Sequence, residues 1–112
     1  MNTYESKQKQ LFKPQAEVYK MMSDLTQLEK YAAALPEEHK EKIKDIAFTE
    51  DSVSFKVDML GEVVVRIVDR EEPKMLKFGA DNFPIQFNFW IQFVGVAEYD
   101  TRMKLTLKAD IP

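Results

Sequence analysis

Few residues in this chain can do chemistry, and their types restrict what that chemistry can be. The sequence contains one histidine, no cysteine and three glycines. Thiolate nucleophiles, disulfides and cysteine-ligated metal sites are therefore excluded. His39 lies in a charged segment without rigid partners for a base or a metal ligand. Gly61, Gly79 and Gly95 stand too far apart to form a phosphate-binding loop. We predict no metal, no cofactor and no catalytic set.

Acid–base catalysis by a carboxylate would require an aspartate or glutamate on the buried side of a strand, where its pKa is raised. If Val65 and Ile67 point inward, the next inward position is Asp69, at the rim of a predicted strand. Arg66 and Arg70 then share the opposite face. Arg66 is expected to pair with a carboxylate on a neighbouring strand, although an inward Arg66 could bind an anionic group. These residues leave an enzyme possible without favouring one.

The composition is typical of a single globular domain, which we assign to residues 1–112. Of the 112 residues, 45% are hydrophobic and 31% are charged. The 16 basic and 19 acidic residues give a net charge of −3, without the basic clusters of nucleic-acid-binding proteins. No signal segment is recognisable, and no apolar run approaches the roughly 18 residues of a membrane span. We expect a cytoplasmic protein with no nucleic-acid partner and no membrane span.

The spacing of apolar residues changes from a helical to a strand period in the middle of the chain. Residues 3–12 are predicted as a first strand. Pro14 suits the first turn of a helix, and Ser23 and Asp24 supply a cap for a second short helix. A loop or helical turn is expected at 37–44. Six strands joined by short turns then follow at 46–49, 52–58, 62–70, 75–80, 85–97 and 102–110. Turns this short make neighbouring strands antiparallel.

The first predicted strand alternates charged side chains with uncharged polar ones. With Glu5, Lys7 and Lys9 directed to solvent, Gln8 and Gln10 face inward. Buried amides without partners cost about 1–3 kcal/mol each, so a dry core here is disfavoured. Water, a ligand or a peripheral strand position could each satisfy these groups. We favour a hydrated cavity entrance, with Gln8 and Gln10 as ligand contacts.

The later strands are predicted to share one continuous apolar face. Segments 87–93 and 103–109 both alternate apolar and polar residues. The residues expected to face inward are Phe55, Val57, Val65, Ile67, Leu76, Phe78, Phe89, Ile91, Leu105 and Leu107. Trp90 falls on the opposite face. There it either packs on neighbouring lysine or arginine stems or marks an interaction surface.

Three sequence strings in this order of elements resemble the START/SRPBCC superfamily, which includes polyketide-cyclase-like and lipid-transfer-like domains. The strings are VYKMMSDL (18–25), VRIVDREEP (65–73) and MKLTLKAD (103–110). The resemblance implies an α+β helix-grip fold, with a curved antiparallel sheet of six to seven strands and two short helices after strand 1. In that superfamily a long C-terminal helix holds a hydrophobic molecule against the sheet. This sequence ends soon after its last strand, so we expect that helix to be absent from this chain.

The resemblance implies non-catalytic binding of a small hydrophobic or amphipathic molecule between the curved sheet and the helices. The expected ligand contacts are Gln8, Gln10, Met22, Leu28, Phe55, Val65, Phe78, Phe87, Phe89, Ile91, Met103 and Leu105. Two alternatives remain open. One is a cyclase- or dehydratase-type enzyme acting on a polyketide-like substrate, and the other is a protein-interaction module that uses Trp90.

The expected absence of the long helix would leave the apolar face of the sheet uncovered. Monomers rarely expose a continuous apolar patch above roughly 300–600 Å². We therefore expect either a homodimer through this face or a shortened form of a longer protein. In the second case an amphipathic helix would lie over Phe89, Leu105, Leu25 and Leu28.

Overall fold

The computed structural model describes residues 2–34, 36–41, 43–81 and 83–110. Along the chain the elements are β1 (Asn2–Glu5), β2 (Lys9–Leu11), α1 (Gln15–Met22), a 3₁₀ helix (Leu25–Leu28), α2 (Glu29–Ala32), α3 (Glu37–Lys40), β3 (Ile43–Phe48), β4 (Ser52–Val57), β5 (Gly61–Glu71), β6 (Met75–Asp81), β7 (Phe87–Ala97) and β8 (Asp100–Ala109). The predicted α+β order is confirmed, with eight strands instead of six or seven. Helix α3 falls in the segment predicted as a loop or helical turn. The side chain of His39 lies outside the described part, so its role stays a prediction.

All eight strands belong to one curved antiparallel sheet. Their order is β1-β8-β7-β6-β5-β4-β3, and β2 also pairs with β8. The pairing shifts by one residue within β3, β5 and β7. Such bulges bend a strand and increase its local twist, which helps the sheet to curve around the helices. No described helix is long and apolar enough to cross a bilayer.

A break divides the predicted first strand into β1 and β2. Glu5 lies opposite Thr106, whereas Lys9 lies opposite Met103, so the pairing with β8 shifts by one residue between them. At the break, the backbone N–H of Ser6 donates to the backbone of β8 and its hydroxyl oxygen accepts from it, each over 2.9 Å. Because side chains alternate along a strand, the shift inverts the face of every residue after the break.

The predicted inward positions of Gln8 and Gln10 are therefore wrong. Gln10 lies opposite Arg102 on the outer face of the sheet, and its amide donates to Asp100 Oδ2 over 3.1 Å. Gln8 is exposed and borders an outer cleft that also contains Trp90. The prediction assumed that side chains alternate without a break from residue 3 to residue 12, whereas the structure interrupts this strand between β1 and β2.

The core lies between α1 and the concave face of the sheet. Its buried apolar residues are Val18, Tyr19, Leu25, Leu76, Phe78 and Phe93. The rings of Tyr19 and Phe93 meet edge to face, with their centroids 6.0 Å apart. Gln15 anchors the start of α1, since its Nε2 donates to the Phe93 carbonyl oxygen over 2.9 Å. Gly95 leaves room for this contact, because a Cβ at that position would lie 2.9 Å from Gln15 Oε1.

The outer face of the sheet carries paired charges and the single tryptophan. Arg66 forms an ion pair with Asp81 on the neighbouring strand, as the sequence favoured. Trp90 lies between lysines on the two adjacent strands. The Nζ atoms of Lys77 and Lys108 are 5.3 and 5.6 Å from the centroid of its ring. Packing of the outward Trp90 against lysine side chains is thus confirmed.

Candidate functional site

An apolar groove opens between the helices and the concave face of the sheet. Its volume of about 370 Å³ lies within the range of small-molecule sites, about 300–1,000 Å³. The groove is lined by Met22, Leu25, Leu28, Val53, Phe55, Val65, Phe78, Phe87, Phe89 and Ile91. None of these side chains carries a charge, an N–H or a hydroxyl. The groove therefore matches an apolar occupant.

Strand register builds the floor of the groove. Phe78 and Phe89 lie directly opposite each other on β6 and β7, with ring centroids 5.8 Å apart and ring planes inclined by 52°. Val53 and Val65 are opposite each other on β4 and β5. Phe55 follows Val53 on the same face. Because alternate residues share a face, each strand contributes apolar side chains here and sends its polar ones outward.

The roof of the groove consists of Met22, Leu25 and Leu28. Asp24 caps the 3₁₀ helix, since its Oδ1 accepts from the Thr26 hydroxyl over 2.6 Å and from the Thr26 N–H over 3.0 Å. These bonds, the hydroxyl bond foremost, lower the pKa of the Asp24 carboxyl below its usual 3.8. Leu25 is 4% exposed and Leu28 is 38% exposed. The roof is thus closed at one end and open at the other.

Arg70 ties this roof to the sheet. Its Nη1 donates to the backbone carbonyl oxygen of Ser23 over 3.0 Å, and its Nη2 lies 3.4 Å from Asp51 Oδ1. Nearby, the backbone N–H of Leu25 donates to the carbonyl oxygen of Glu50 over 3.0 Å. The end of α1 and the start of the 3₁₀ helix are therefore held by β5 and by the turn between β3 and β4.

A bulge in β5 places Arg70 on the helix side of the sheet. Ile67 lies opposite Phe78, whereas Arg70 lies opposite Leu76, so the pairing shifts by one residue between them. Arg66, before the bulge, stays on the outer face. The sequence prediction that Arg66 and Arg70 share a face is wrong, because a bulge inverts the alternation after it.

The structure brings most of the predicted ligand contacts together. Those that line the groove are Met22, Leu28, Phe55, Val65, Phe78, Phe87, Phe89 and Ile91. Met103 instead packs against the closed core, and Leu105 lies on the inner face of β8 outside the groove lining. Leu25 and Val53 also line the groove but were not among the predicted ligand contacts, although Leu25 was assigned to the same apolar face.

Among the described residues that line the groove, none has a titratable side chain. Asp69 is exposed outside it, and its Oδ1 accepts from the backbone N–H of Arg70 over 2.8 Å. A larger cleft of about 660 Å³ adjoins α1, but charged side chains line it, including Glu17 and Lys20. Within the described ranges, no three histidine, cysteine, aspartate or glutamate side chains are grouped to hold a metal ion. The geometry supports binding of an apolar molecule.

Comparison with solved structures identifies the fold. A START superfamily protein from Mycobacterium smegmatis is similar with a TM-score of 0.62 and 11% identity, over 98% of this chain and 79% of that chain. This chain has a START/SRPBCC-like fold. An HSP90 activator from Plasmodium falciparum has a TM-score of 0.65 and 15% identity, over 98% of this chain and 74% of that chain. A protein from Deinococcus radiodurans has a TM-score of 0.60 and 14% identity, over 96% of this chain and 83% of that chain.

The superfamily resemblance predicted from the sequence is thus confirmed at the level of the fold. No protein-family model and no curated protein sequence matches the chain. At identities of 11–15%, the similarity to these solved structures concerns the fold alone. A function for this chain must therefore be argued from its own groove and surfaces.

Proposed function

We propose that this START/SRPBCC-like chain binds a small, largely apolar molecule in the groove and does not convert it chemically. The observation that carries the proposal is the uniformly apolar lining of a groove that is open at one end. Removing apolar ligand surface from water contributes roughly 25 cal/mol per Å². The START/SRPBCC-like fold is compatible with such a role.

The lining also restricts the chemical class of the ligand. A charged or hydrogen-bonding group inside the groove would lose its hydration without gaining a protein partner, which is unfavourable. The buried part of the ligand is therefore a hydrocarbon or an aromatic ring system. A polar group, if the ligand has one, lies at the open end beside Leu28, which is 38% exposed.

Thermal unfolding in the presence of 1-decanol or naphthalene tests this proposal. A ligand at 100 times its Kd stabilises the folded state by about 2.7 kcal/mol. For a domain of this size, that corresponds to a rise in Tm of about 10 °C. We expect a concentration-dependent rise with at least one of the two probes. The absence of a rise with both would contradict the proposal.

A matched pair of variants locates the binding site. Val65→Phe places a ring in the groove and is expected to abolish the rise in Tm caused by the probe, because the ligand volume is occupied. Val94→Phe adds the same ring on the outer face, where Val94 is 53% exposed, and is expected to retain the full rise. Equal responses of the two variants would place the binding elsewhere.

A second candidate function is interaction with a partner protein. One of the similar folds belongs to an HSP90 activator, and Trp90 with its two lysines forms a feature on the outer face that the groove does not use. The third hypothesis, a cyclase- or dehydratase-type enzyme, has no support from the described lining of the groove, because each of those side chains is apolar.

A further inference from the structure

Trp90, Lys77 and Lys108 form a cluster on the outer face of the sheet, on the side opposite the groove. Lys77 lies directly across from Trp90 on β6, and Lys108 lies on β8. Their Nζ atoms are 5.3 and 5.6 Å from the centroid of the indole ring. Three adjacent strands thus bring two ammonium groups to one aromatic side chain, which we name the Trp90 cluster.

The ammonium groups of the Trp90 cluster have no carboxylate partner in the described part of the chain. No described carboxylate oxygen lies within 4.0 Å of the Nζ of Lys77 or Lys108. By contrast, the neighbouring Lys104 has its Nζ 2.9 Å from Glu5 Oε2. Two further carboxylates share this face: Asp69 lies across from Lys77 in the register, and Glu71 lines the outer cleft with Trp90. Neither lies within 4.0 Å of the Nζ of Lys77 or Lys108, so the two positive charges at Trp90 are not neutralised by a salt bridge and can meet an external anion.

Hydrogen-bonding side chains surround the indole. A shallow concavity of about 280 Å³ is lined by Thr3, Glu5, Trp90, Gln92, Thr106 and Lys108. Hydroxyl and amide groups can donate to carboxylate oxygens, and tryptophan is enriched among the residues that dominate binding energy at protein interfaces. We infer that the Trp90 cluster binds an acidic segment of a partner protein. Its carboxylates meet Lys77 and Lys108, and an apolar side chain packs on the indole.

The small number of cations at Trp90 favours an acidic protein segment over a nucleic acid as the partner. Nucleic-acid surfaces neutralise many phosphates with a broad basic patch, whereas the Trp90 cluster contributes two lysines. Two ammonium groups and one indole instead match a short motif with two carboxylates. This inference is independent of the groove proposal, because it concerns the opposite face of the sheet.

The experiment uses Trp90 fluorescence, which reports on the site directly because Trp90 is the only tryptophan. The probe is an acetylated heptapeptide with one leucine between two pairs of glutamates and serine at each end. In the control peptide, glutamines replace the glutamates. At low ionic strength we expect a saturable change in fluorescence with the acidic peptide and none with the control peptide. The affinity should fall as salt is added.

Lysine variants test whether the cluster itself binds the peptide. Lys77→Gln and Lys108→Gln are each expected to weaken binding about two- to fivefold, and the double variant about tenfold. Lys44→Gln removes the same charge from exposed β3 at the far edge of the sheet and should leave the affinity unchanged. Saturating 1-decanol should also leave it unchanged, which separates this test from that of the groove.

Three results would overturn the inference. The first is no saturable response to the acidic peptide up to about 1 mM. The second is equal affinity of the wild type and the double lysine variant. The third is equal or tighter binding of a decathymidylate oligonucleotide, which would assign the cluster to nucleic acid.

Discussion

The guanidinium of Arg70 donates through Nη1 to the backbone carbonyl oxygen of Ser23 over 3.0 Å, so that a strand residue holds the end of α1. Arg70 reaches the helix side because the pairing of β5 with β6 shifts by one residue after Ile67. The same strand sends Arg66 to the outer face, where it pairs with Asp81. The bulge in β5 thus directs Arg70 to the helix side, where its hydrogen bond to Ser23 fixes the roof of the groove to the sheet.

Replacement of Arg70 is predicted to loosen the roof and weaken ligand binding. Arg70→Met keeps the aliphatic stem but removes the bonds to Ser23 and Asp51. The side chain is 39% exposed, so we expect a loss of only about 1 kcal/mol in the free energy of unfolding. The affinity for 1-decanol should fall several-fold, because Met22 and Leu25 lose their fixed position. Denaturant unfolding and ligand-induced shifts in Tm measure the two effects.

Arg66→Met is the matched control for that experiment. It makes the same substitution on the same strand, but it removes an exposed ion pair on the outer face. We expect a change in unfolding free energy within about 1 kcal/mol and no change in affinity for 1-decanol. Equal weakening of ligand binding by both variants would show that the bonds of Arg70 to Ser23 and Asp51 do not position the roof.

Core and groove phenylalanines are predicted to respond differently to truncation. Phe93 is 2% exposed and packs edge to face on Tyr19, so Phe93→Ala should cost about 3–5 kcal/mol. Phe89 is only partly buried and borders the open groove, so Phe89→Ala should cost about 2 kcal/mol. Denaturant unfolding measures both. A loss below about 1 kcal/mol for Phe89→Ala would mean that its ring does not face the helices.

The alternation of apolar and polar residues correctly predicted the floor of the groove, because the strands that form it have no shift in register there. Phe78 and Phe89 are opposite each other in the register, as their strand positions implied. The same reasoning failed for Gln10 and Arg70, which each follow a one-residue shift in pairing. Such a shift depends on contacts with another strand. A single-strand pattern does not encode it.

Gly95 is predicted to be required for the docking of α1. A Cβ at that position would lie 2.9 Å from Gln15 Oε1 and 3.2 Å from Gln15 Cβ. Gly95→Ala should therefore displace Gln15 and break its bond to the Phe93 carbonyl oxygen, at a cost of about 1–2 kcal/mol. Thermal unfolding measures this loss.

Gly79→Ala is the control for Gly95→Ala. At residue 79 the nearest atom to a new Cβ, Val68 Cγ1, is 3.5 Å away, which is an ordinary contact. The variant should be unchanged or more stable by about 0.5 kcal/mol, because alanine restricts the unfolded chain. Equal destabilisation by both substitutions would show that the Gln15 contact is not what requires a glycine at residue 95.

The cap of the 3₁₀ helix is predicted to make stability depend on pH. The pKa of the Asp24 carboxyl is lowered in the folded chain, first by the Thr26 hydroxyl and then by its N–H. A lowered pKa stabilises the folded state above the unfolded-state pKa, and this contribution is lost as the pH falls through the folded-state pKa. Asp24→Ala should be less stable than the wild type at pH 7, and the difference should shrink below about pH 4. Denaturant unfolding at several pH values measures it, and a constant difference down to pH 3 would contradict the assignment.

The amino-acid types predicted the helix cap at Asp24 but not the hydrogen bonds of Arg70 to Ser23 and Asp51. Ser23 and Asp24 predicted the start of a helix, and in the structure the carboxylate of Asp24 caps the 3₁₀ helix. Arg70 carried no such signal, because its partners are the backbone oxygen of Ser23 and a carboxylate 19 residues earlier in the chain, that of Asp51. Long-range contacts of this kind follow from the assembled fold.

Binding of an apolar molecule in the groove can be measured residue by residue by methyl NMR during a titration with 1-decanol. We expect saturable shifts of the methyl signals of the groove residues Leu25, Leu28, Val53, Val65 and Ile91. The methyl signals of Val94 and Val96, which are exposed by 53% and 54%, should not move. Absence of saturable shifts in the groove, or shifts confined to Val94 and Val96, would contradict this binding.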